Sequence, residues 1–201
     1  MDQIKSLTNP PILYSRFAVL SKPCPVPAEW GAYAWFFKEP PGVTPTDGCV
    51  TKDDLTLLYV GISPDKVGKP NSKGNLRDRL QTHYCGNAEG STLRRTLGIL
   101  LADKSDFPLR RVGSGIRMTF THLGEQFLDD WMEENAFACW VEHPAPWKLE
   151  KQLLESLSCP LNIQKNSDHL FAGELKRMRK EAIRQAREEP IAQEHNQQRK
   201  A

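Results

Sequence analysis

Ala32-Tyr33-Ala34-Trp35-Phe36-Phe37 is a short, aromatic and β-prone run, and it predicts a strand. Leu57 to Ile62 predicts a second strand, and Phe137 to Val141 predicts a third. Residues 39–56 separate the first two strands and contain several prolines and glycines, so we expect a long connecting loop. These three strands are the candidate core of a small sheet.

Helical segments alternate with the strands. Asn75 is a suitable N-cap for a helix from Leu76 to Tyr84, and Ser91 for a second helix through Ala102. The remaining predictions are a short strand at Ile116–Thr121, a helix near 124–134, a helix over Pro146–Leu157, and an extended, proline-rich lead-in over residues 1–30.

Glu150 breaks the pattern of the helix over Pro146–Leu157. At about 100° per residue, four leucines fall on one face and the other charged residues fall on the opposite face. Glu150 lies in the middle of the leucine face, whereas Glu155 lies on the solvent side. An inward carboxylate is costly unless it is paired, protonated or bound to a metal. Glu150 is therefore a candidate functional residue.

Composition excludes several classes of protein. Hydrophobic residues make up 39% and charged residues 26% of the 201 residues, as in an ordinary globular domain with a tail. The apolar runs are too short to span a bilayer, and the N-terminus has no secretory signal, so we expect a cytoplasmic protein with no membrane partner. The net charge of +2 does not by itself indicate a nucleic-acid partner.

The five cysteines are odd in number and form no Cys-x-x-Cys pair, which argues against a disulfide framework and against a zinc site.

Positive charge is concentrated between Lys69 and Arg117, and negative charge between Met118 and Pro160. One segment could face phosphates while the other faces water, although an ordinary basic surface would look the same. The candidate nucleic-acid-binding residues are Lys69, Lys73, Arg77, Arg94 and Arg95. The charged stretch 173–201 has a weak helical period and predicts a solvated helix that frays into a disordered end; a nucleic-acid contact or a partner helix is the alternative.

Five further polar positions accompany Glu150. Tyr33 and Tyr59 lie in the first two strands, Arg79 and His83 lie four residues apart on one helix face, and Asn162 follows the Glu150 helix. Taken singly, each residue type is more often structural than functional.

Their order in the chain forms a recognisable set of motifs. The chain resembles the GIY-YIG nuclease superfamily, and within it small stand-alone bacterial proteins. The resemblance rests on Gly31-Ala32-Tyr33, Tyr59-Val60-Gly61, Asn75-Leu76-Arg77-Asp78-Arg79-Leu80, His83-Tyr84, Leu149-Glu150 and Pro160-Leu161-Asn162. There are two departures. The long 39–56 loop replaces a tight hairpin, and Ile62-Ser63 stands where several relatives carry a lysine, which leaves Lys66, Lys69 or no residue in that role.

This resemblance implies an α+β fold with a small, mainly antiparallel three-stranded sheet flanked by helices. The implied organisation is a lead-in over 1–28, a nuclease-like domain over 29–166 and a charged helical tail over 167–201. The implied activity is metal-dependent hydrolysis of phosphodiester bonds in DNA, with double-stranded DNA as the partner. Glu150 would hold a divalent ion, Mg²⁺ or alternatively Mn²⁺.

The resemblance also implies roles for the other five residues. Arg79 would bind the scissile phosphate. Tyr33 and Tyr59 would orient the attacking water, and either Tyr33 or His83 would be the general base. Asn162 would hold the end of the Glu150 helix or a water. Two other interpretations stay open: a nucleic-acid-binding module that no longer cleaves, and a structural or regulatory protein that acts through its C-terminal helix.

Overall fold

The computed structural model describes residues 3–64 and 74–193, and all statements below concern those residues. Eight α-helices and six strands follow one another along the chain. The helices are α1 (Gln3–Thr8), α2 (Arg16–Leu20), α3 (Leu76–Cys85), α4 (Thr92–Leu100), α5 (Ala102–Ser105), α6 (Thr121–Asn135), α7 (Pro146–Ser156) and α8 (Ala172–Glu188). The strands are β1 (Gly31–Phe37), β2 (Thr51–Lys52), β3 (Leu55–Ser63), β4 (Arg110–Val112), β5 (Arg117–Thr119) and β6 (Ala136–Glu142).

A four-stranded antiparallel sheet in the order β2-β3-β1-β6 forms the centre of the fold. The predicted α+β class, with a small antiparallel sheet flanked by helices, is confirmed. The number of strands was predicted as three, and the fourth is the two-residue β2 in the predicted 39–56 loop. It pairs with β3 through a tight turn in which Asp53 and Asp54 have positive φ, and so short a strand leaves no periodic signal in the sequence.

The central strand β1 is buried along its whole length and divides the core into two layers. Tyr33, Trp35 and Phe37 face a layer that includes residues of α3, α4, α6 and α8. Alternate β1 residues, including Phe36, face a second layer that includes residues of α1 and α7. This alternation follows from the two-residue period of a strand. The Tyr33 side chain therefore faces away from the layer to which α7, the helix that carries Glu150, belongs.

Helix α3 begins where the sequence predicted, because the Asn75 side chain accepts a hydrogen bond from the Asp78 backbone N–H. Ser91 caps α4 in the same way through the Arg94 N–H. The predicted helix through Ala102 is instead divided into α4 and the short α5. Helix α7 has Pro146 in its first turn, where proline's missing N–H costs nothing.

The first 30 residues were predicted to be an extended lead-in, and the structure contradicts that prediction. They contain α1 and α2, and Leu7 and Val19 from these helices are fully buried. Tyr14 also makes an isolated bridge to Ala138 of β6. The short strand predicted at Ile116–Thr121 exists as β5, which pairs with β4 in a separate two-stranded sheet.

The charged C-terminal stretch forms α8, as predicted, and this helix packs on the domain. Its buried residues Leu175 and Ala186 belong to the same core layer as Tyr33. The predicted disordered end falls largely on residues 194–201, outside the described residues. The predicted domain boundaries stay a prediction. No helix in residues 3–64 or 74–193 is long and apolar enough to cross a membrane.

Candidate active site

Tyr33 lies at the centre of the candidate site, with its ring across the backbone of Gly61. The two residues face each other in the ladder between β1 and β3. A Cβ atom at position 61 would lie 2.4 Å from Tyr33 Oη, so glycine is needed for the ring to lie there. The Tyr33 hydroxyl is 2.9 Å from His83 Nε2, and it accepts a hydrogen bond from Arg79 Nε at 3.3 Å. Helix α3 thus brings two of the predicted residues to the first tyrosine.

His83 is fully buried and hydrogen-bonded at both ring nitrogens. Its Nδ1 lies 2.7 Å from Ser91 Oγ at the N-terminus of α4. Burial is the main cause that lowers the pKa of His83 well below its ordinary value of 6.5, and the guanidinium groups of Arg79 and Arg94 lower it further. The imidazole is therefore neutral at physiological pH. The role of Ser91 as a partner of His83 was not predicted from the sequence, where Ser91 was identified only as a helix cap.

Tyr59 lies on β3 with its ring centroid 6.5 Å from that of Tyr33. Burial raises the pKa of Tyr59, while the positive charge of Arg79 and a hydrogen bond from Thr92 oppose the rise. Burial and the neighbouring Tyr59 raise the pKa of Tyr33 far above its usual range. The Glu150 carboxylate raises the pKa of both tyrosines. Both phenols are protonated at neutral pH, and Glu150 is close enough to influence them electrostatically.

Glu150 points inward from α7, and the predicted rotation of this helix is confirmed. The Glu150 side chain is 14% exposed, and its Oε2 lies 2.5 Å from Lys165 Nζ. By contrast, the Glu155 side chain is 64% exposed, and its ion-pair partner at 3.7 Å, Lys151, is 75% exposed. An inward carboxylate thus has a partner, as the cost of burying a charge requires.

A small cavity joins Glu150 to Tyr59, and we refer to it as the Glu150 cavity. Its volume is about 70 Å³. Elements from both sides of the sheet edge contribute to its wall, which consists of Tyr59, Thr92, Thr96, Glu150, Leu161, Asn162, Ile163, Gln164 and Arg179. Tyr33, Arg79 and His83 adjoin it through Tyr59. All six predicted catalytic positions therefore lie in one region of the molecule.

Asn162 holds the chain that follows α7 against the edge of β3. Its Oδ1 accepts the Val60 N–H at 2.9 Å, and its Nδ2 donates to the Val60 carbonyl at 2.8 Å. The side-chain amide thus pairs with the strand as a neighbouring strand would. Because these bonds engage both ends of the amide, Asn162 positions the wall of the cavity. The resemblance implied a holding role for Asn162, at the end of the Glu150 helix or on a water, and the structure places its contacts on β3.

Arg94 is the one predicted nucleic-acid contact that the structure contradicts. Its side chain is fully buried and pairs with Glu125 at 2.9 Å and Asp129 at 2.8 Å. The guanidinium also donates to the backbone carbonyls of His83 and Tyr84 at the end of α3. It cannot reach a nucleic acid from there. Instead it fixes the end of the helix that carries His83.

The other predicted nucleic-acid contacts divide into two groups. Lys69 and Lys73, together with Lys66, fall outside the described residues. Arg77 donates to the Val26 carbonyl, and Arg95 donates to the Ala88 carbonyl and pairs with Glu89 at 3.0 Å. Arg77 and Arg95 are partly exposed, so a phosphate contact through either one stays a prediction.

Arg179 of α8 is a cavity residue that the sequence interpretation missed. It lies in the wall of the Glu150 cavity and donates a hydrogen bond to Thr96 Oγ1 at 3.3 Å. The sequence contains a signal for it, because Leu175, Ile183 and Ala186 stand at helical spacing around position 179. A charge in the middle of an apolar helix face is the same anomaly that identified Glu150.

A comparison with family models identifies the chain. Residues 31–181, well over half of its length, match the model of the GIY-YIG catalytic domain. The chain therefore belongs to the GIY-YIG family, whose members are typically endonucleases that act on nucleic acid and use divalent metal ions. Searches of the curated proteins and of the solved structures gave no match.

The Glu150 cavity fits a hard divalent cation bound mainly through water. Among the described residues, no group of three or more His, Cys, Asp or Glu side chains is placed to hold a metal. Among the wall residues that the structure describes, Glu150 is the only carboxylate, and Thr92 and Thr96 are the hydroxyl-bearing aliphatic residues. Mg²⁺ commonly binds through one or two carboxylates and keeps several waters, whereas zinc needs three or four protein ligands. This set of donors suits magnesium better than zinc.

Proposed function

We propose that this protein is a metal-dependent endonuclease that hydrolyses phosphodiester bonds in DNA. The observation that carries the proposal is the position of the Tyr33 hydroxyl, held between His83 Nε2 and Arg79 Nε. One hydrogen-bond network thus contains three groups that hydrolysis needs. His83 would accept a proton, Arg79 would bind a phosphate, and the Tyr33 phenol would pass a proton from water to the imidazole. Glu150, which acts electrostatically on both tyrosines, would supply the metal ligand.

Arg79 would bind the scissile phosphate. Its guanidinium is always charged, and its fork of N–H donors matches two phosphate oxygens. The bond to Tyr33 fixes the direction of this fork. The additional negative charge of the pentacoordinate transition state would strengthen the contact, and an interaction of that kind lowers the barrier more than it tightens ground-state binding.

Tyr33 and His83 would remove the proton from the attacking water. Tyr33 would accept the proton of the water while its own proton passes to His83 Nε2, so no free tyrosinate forms. This relay requires the His83 tautomer that carries its proton on Nδ1 and donates it to Ser91 Oγ. The low pKa of His83 keeps Nε2 unprotonated before the reaction. An incoming phosphate on Arg79 would offset the positive charge of that residue, which disfavours the imidazolium.

Glu150 would hold Mg²⁺ in the cavity beside Tyr59. When bound, the ion would stabilise negative charge on the phosphoryl oxygens and on the leaving 3′-oxygen. Tyr59 would orient the reacting groups, and Asn162 would keep the segment after α7 against β3 so that the cavity retains its shape. The pairing of Glu150 with Lys165 would have to open when the ion binds.

Nicking of supercoiled plasmid tests the proposal. The wild-type protein should nick DNA with Mg²⁺ and lose this activity on chelation. Glu150→Ala and Arg79→Ala should each lower the rate by about a hundredfold or more, the typical cost of removing one group that stabilises transition-state charge. Equal background cleavage by the wild type and both variants would eliminate the enzyme hypothesis.

The second candidate is a nucleic-acid-binding module that does not cleave. The contact that favours it is the short ion pair between Lys165 Nζ and Glu150 Oε2. Lys165 thus already supplies a cation to the one carboxylate that the described residues place in the cavity wall. If the protein binds DNA tightly but neither the wild type nor Lys165→Met nicks it in Mg²⁺ or Mn²⁺, this function replaces the first.

A further inference from the structure

A groove runs along the outer face of α8 beside the candidate active site, and we call it the α8 groove. It has a volume of about 870 Å³. Basic side chains dominate its walls, which consist of Ile163, Gln164, Lys176, Arg177, Arg179, Lys180, Glu181, Ile183, Arg184, Arg187 and Glu188. Six cations against two carboxylates give these walls a strongly positive balance.

The α8 groove is continuous with the Glu150 cavity. Ile163, Gln164 and Arg179 line both of them. Ile163 and Gln164 directly follow Asn162, the residue that binds this segment to the edge of β3. The wall shared by the two spaces is therefore held against the sheet, and a ligand in the cavity lies next to the groove.

Arg179 stands at the junction with its charge uncompensated by an acidic partner. Across residues 3–64 and 74–193 it forms no ion pair, and its hydrogen bond is to the Thr96 hydroxyl. Burial, and then the nearby cation Arg95, lower the pKa of Arg179. Arg95 is paired with Glu89, so Arg179, which lines both the cavity and the groove, is the cation that favours an anion at their junction.

The positive charge of the groove is also not neutralised internally. Arg184 is paired with Glu181 and Glu188, and Arg177 with Glu174, on the same helix. Lys176, Lys180 and Arg187 lie on the groove face at helical spacing, are exposed, and form no ion pair in the described part of the chain. Their charges remain available to a polyanion, since the two groove carboxylates are already engaged.

We propose that the α8 groove binds the sugar–phosphate backbone of the strand that enters the Glu150 cavity, with Arg179 contacting a phosphate adjacent to the cleaved one. This inference rests on the proposed nuclease function. It moves the main nucleic-acid contact from the 69–117 segment, where Arg94 is buried, to the C-terminal helix. The isoleucines of the groove would contact sugars and bases, while the cations would contact phosphates.

The test of DNA binding in the groove is the salt dependence of the affinity of the full chain for a fluorescein-labelled DNA duplex. A chelator is present so that the strand stays intact. The variant Lys176→Ala/Lys180→Ala/Arg187→Ala removes three groove cations. Each lost phosphate contact lowers the slope of log K against log salt by about 0.9, so the slope should become less steep by about 2 to 3. The control Lys38→Ala/Lys104→Ala/Lys148→Ala removes three exposed lysines outside the groove and should leave the slope unchanged.

Arg179 has its own pair of variants. Arg179→Met should lower the slope by about one and should reduce plasmid nicking, whereas Arg179→Lys, which keeps the charge, should retain the slope and recover part of the rate. Thermal unfolding of both variants checks that the domain is intact. A structural role alone would change the melting temperature and leave the salt slope as it is.

The outcomes separate this inference from the proposed function. A wild-type protein that nicks DNA while the groove triple variant binds with an unchanged slope would overturn the inference and leave the nuclease intact. A groove variant that changes the oligomeric mass in ultracentrifugation but not DNA binding would show that a second copy occupies the groove, which also overturns it. A wild-type protein that neither binds nor nicks DNA would overturn both proposals.

Discussion

Gly61→Ala should displace Tyr33 and thereby damage both stability and activity. The new Cβ would lie 2.4 Å from Tyr33 Oη and 2.5 Å from Cζ, whereas atoms in contact need roughly 3.5 Å. The ring must therefore move by about 1 Å. Tyr33 is only 1% exposed and its hydroxyl is 2.9 Å from His83 Nε2, so a shift of this size would disrupt the geometry of that hydrogen bond. Overpacking of this kind costs about 1 to 3 kcal/mol, and a misplacement of 1 Å at a reacting group costs about a hundredfold in rate.

Urea unfolding and single-turnover DNA cleavage measure the two effects of Gly61→Ala. Gly173→Ala is the matched control, because nothing lies within 4 Å of a Cβ at Gly173. It should be neutral or stabilise α8 by less than about 1 kcal/mol. In a Tyr33→Ala background the clash has no partner, so most of the cost of Gly61→Ala should disappear. An alanine at position 61 that is as destabilising in that background as in the wild type would refute the steric argument.

Three other predictions follow from individual contacts. Arg94→Met should destabilise the fold by about 3 to 5 kcal/mol in urea unfolding, because it removes the buried cation that Glu125 and Asp129 share; a cost below 1 kcal/mol would contradict the buried network. Lys165→Met should tighten Mg²⁺ binding to Glu150 in calorimetry by no more than about fivefold, since so exposed a lysine contributes at most about 1 kcal/mol; weaker binding would mean that Lys165 supports the site. Below pH 6.5 His83 is protonated in the unfolded chain but stays neutral in the folded protein, where its pKa is lowered. The free energy of unfolding should therefore fall as the pH drops, and His83 should contribute up to about 1.4 kcal/mol per pH unit. His83→Gln should flatten that dependence, and an unchanged slope would mean that His83 titrates normally.

Strands β1, β3 and β6 and the two helices that carry site residues, α3 and α7, could be predicted because their signals are local. The aromatic run that became β1 and the Asn75 cap of α3 need only neighbouring residues to be recognised. The rotation of α7 was also predictable, since periodicity alone separates Glu150 from Glu155. A side chain's direction on a helix follows from its sequence position and does not depend on the rest of the fold.

The remaining features depend on contacts between distant parts of the chain. Strand β2 exists only because two residues meet β3 across a tight turn. Helix α1 is six residues long and too short to be stable alone, so it is held by burial of Leu7 against the sheet. Local propensity does not encode such pairings.

A charged residue on an apolar helix face was the most informative signal in the sequence. The same signal is present at positions where the sequence interpretation did not use it. Arg94 has Leu97 and Leu101 at helical spacing, as Glu150 has its own leucines. Counting Arg94 as part of a basic surface ignored this pattern, and the structure pairs it with two buried carboxylates. Arg179 shows the pattern too. The sequence could identify the anomaly at each position, but only the fold distinguishes a structural ion pair from a cavity residue.

The most direct test of the central claim compares Glu150→Ala with Glu155→Ala in Mg²⁺-dependent DNA cleavage. Each substitution removes one glutamate carboxylate from α7. Glu150 faces the cavity, whereas the Glu155 side chain is 64% exposed. The proposed function predicts a loss of about a hundredfold or more for Glu150→Ala and a wild-type rate for Glu155→Ala. Equal rates for the two variants, whether both active or both inactive, would contradict it.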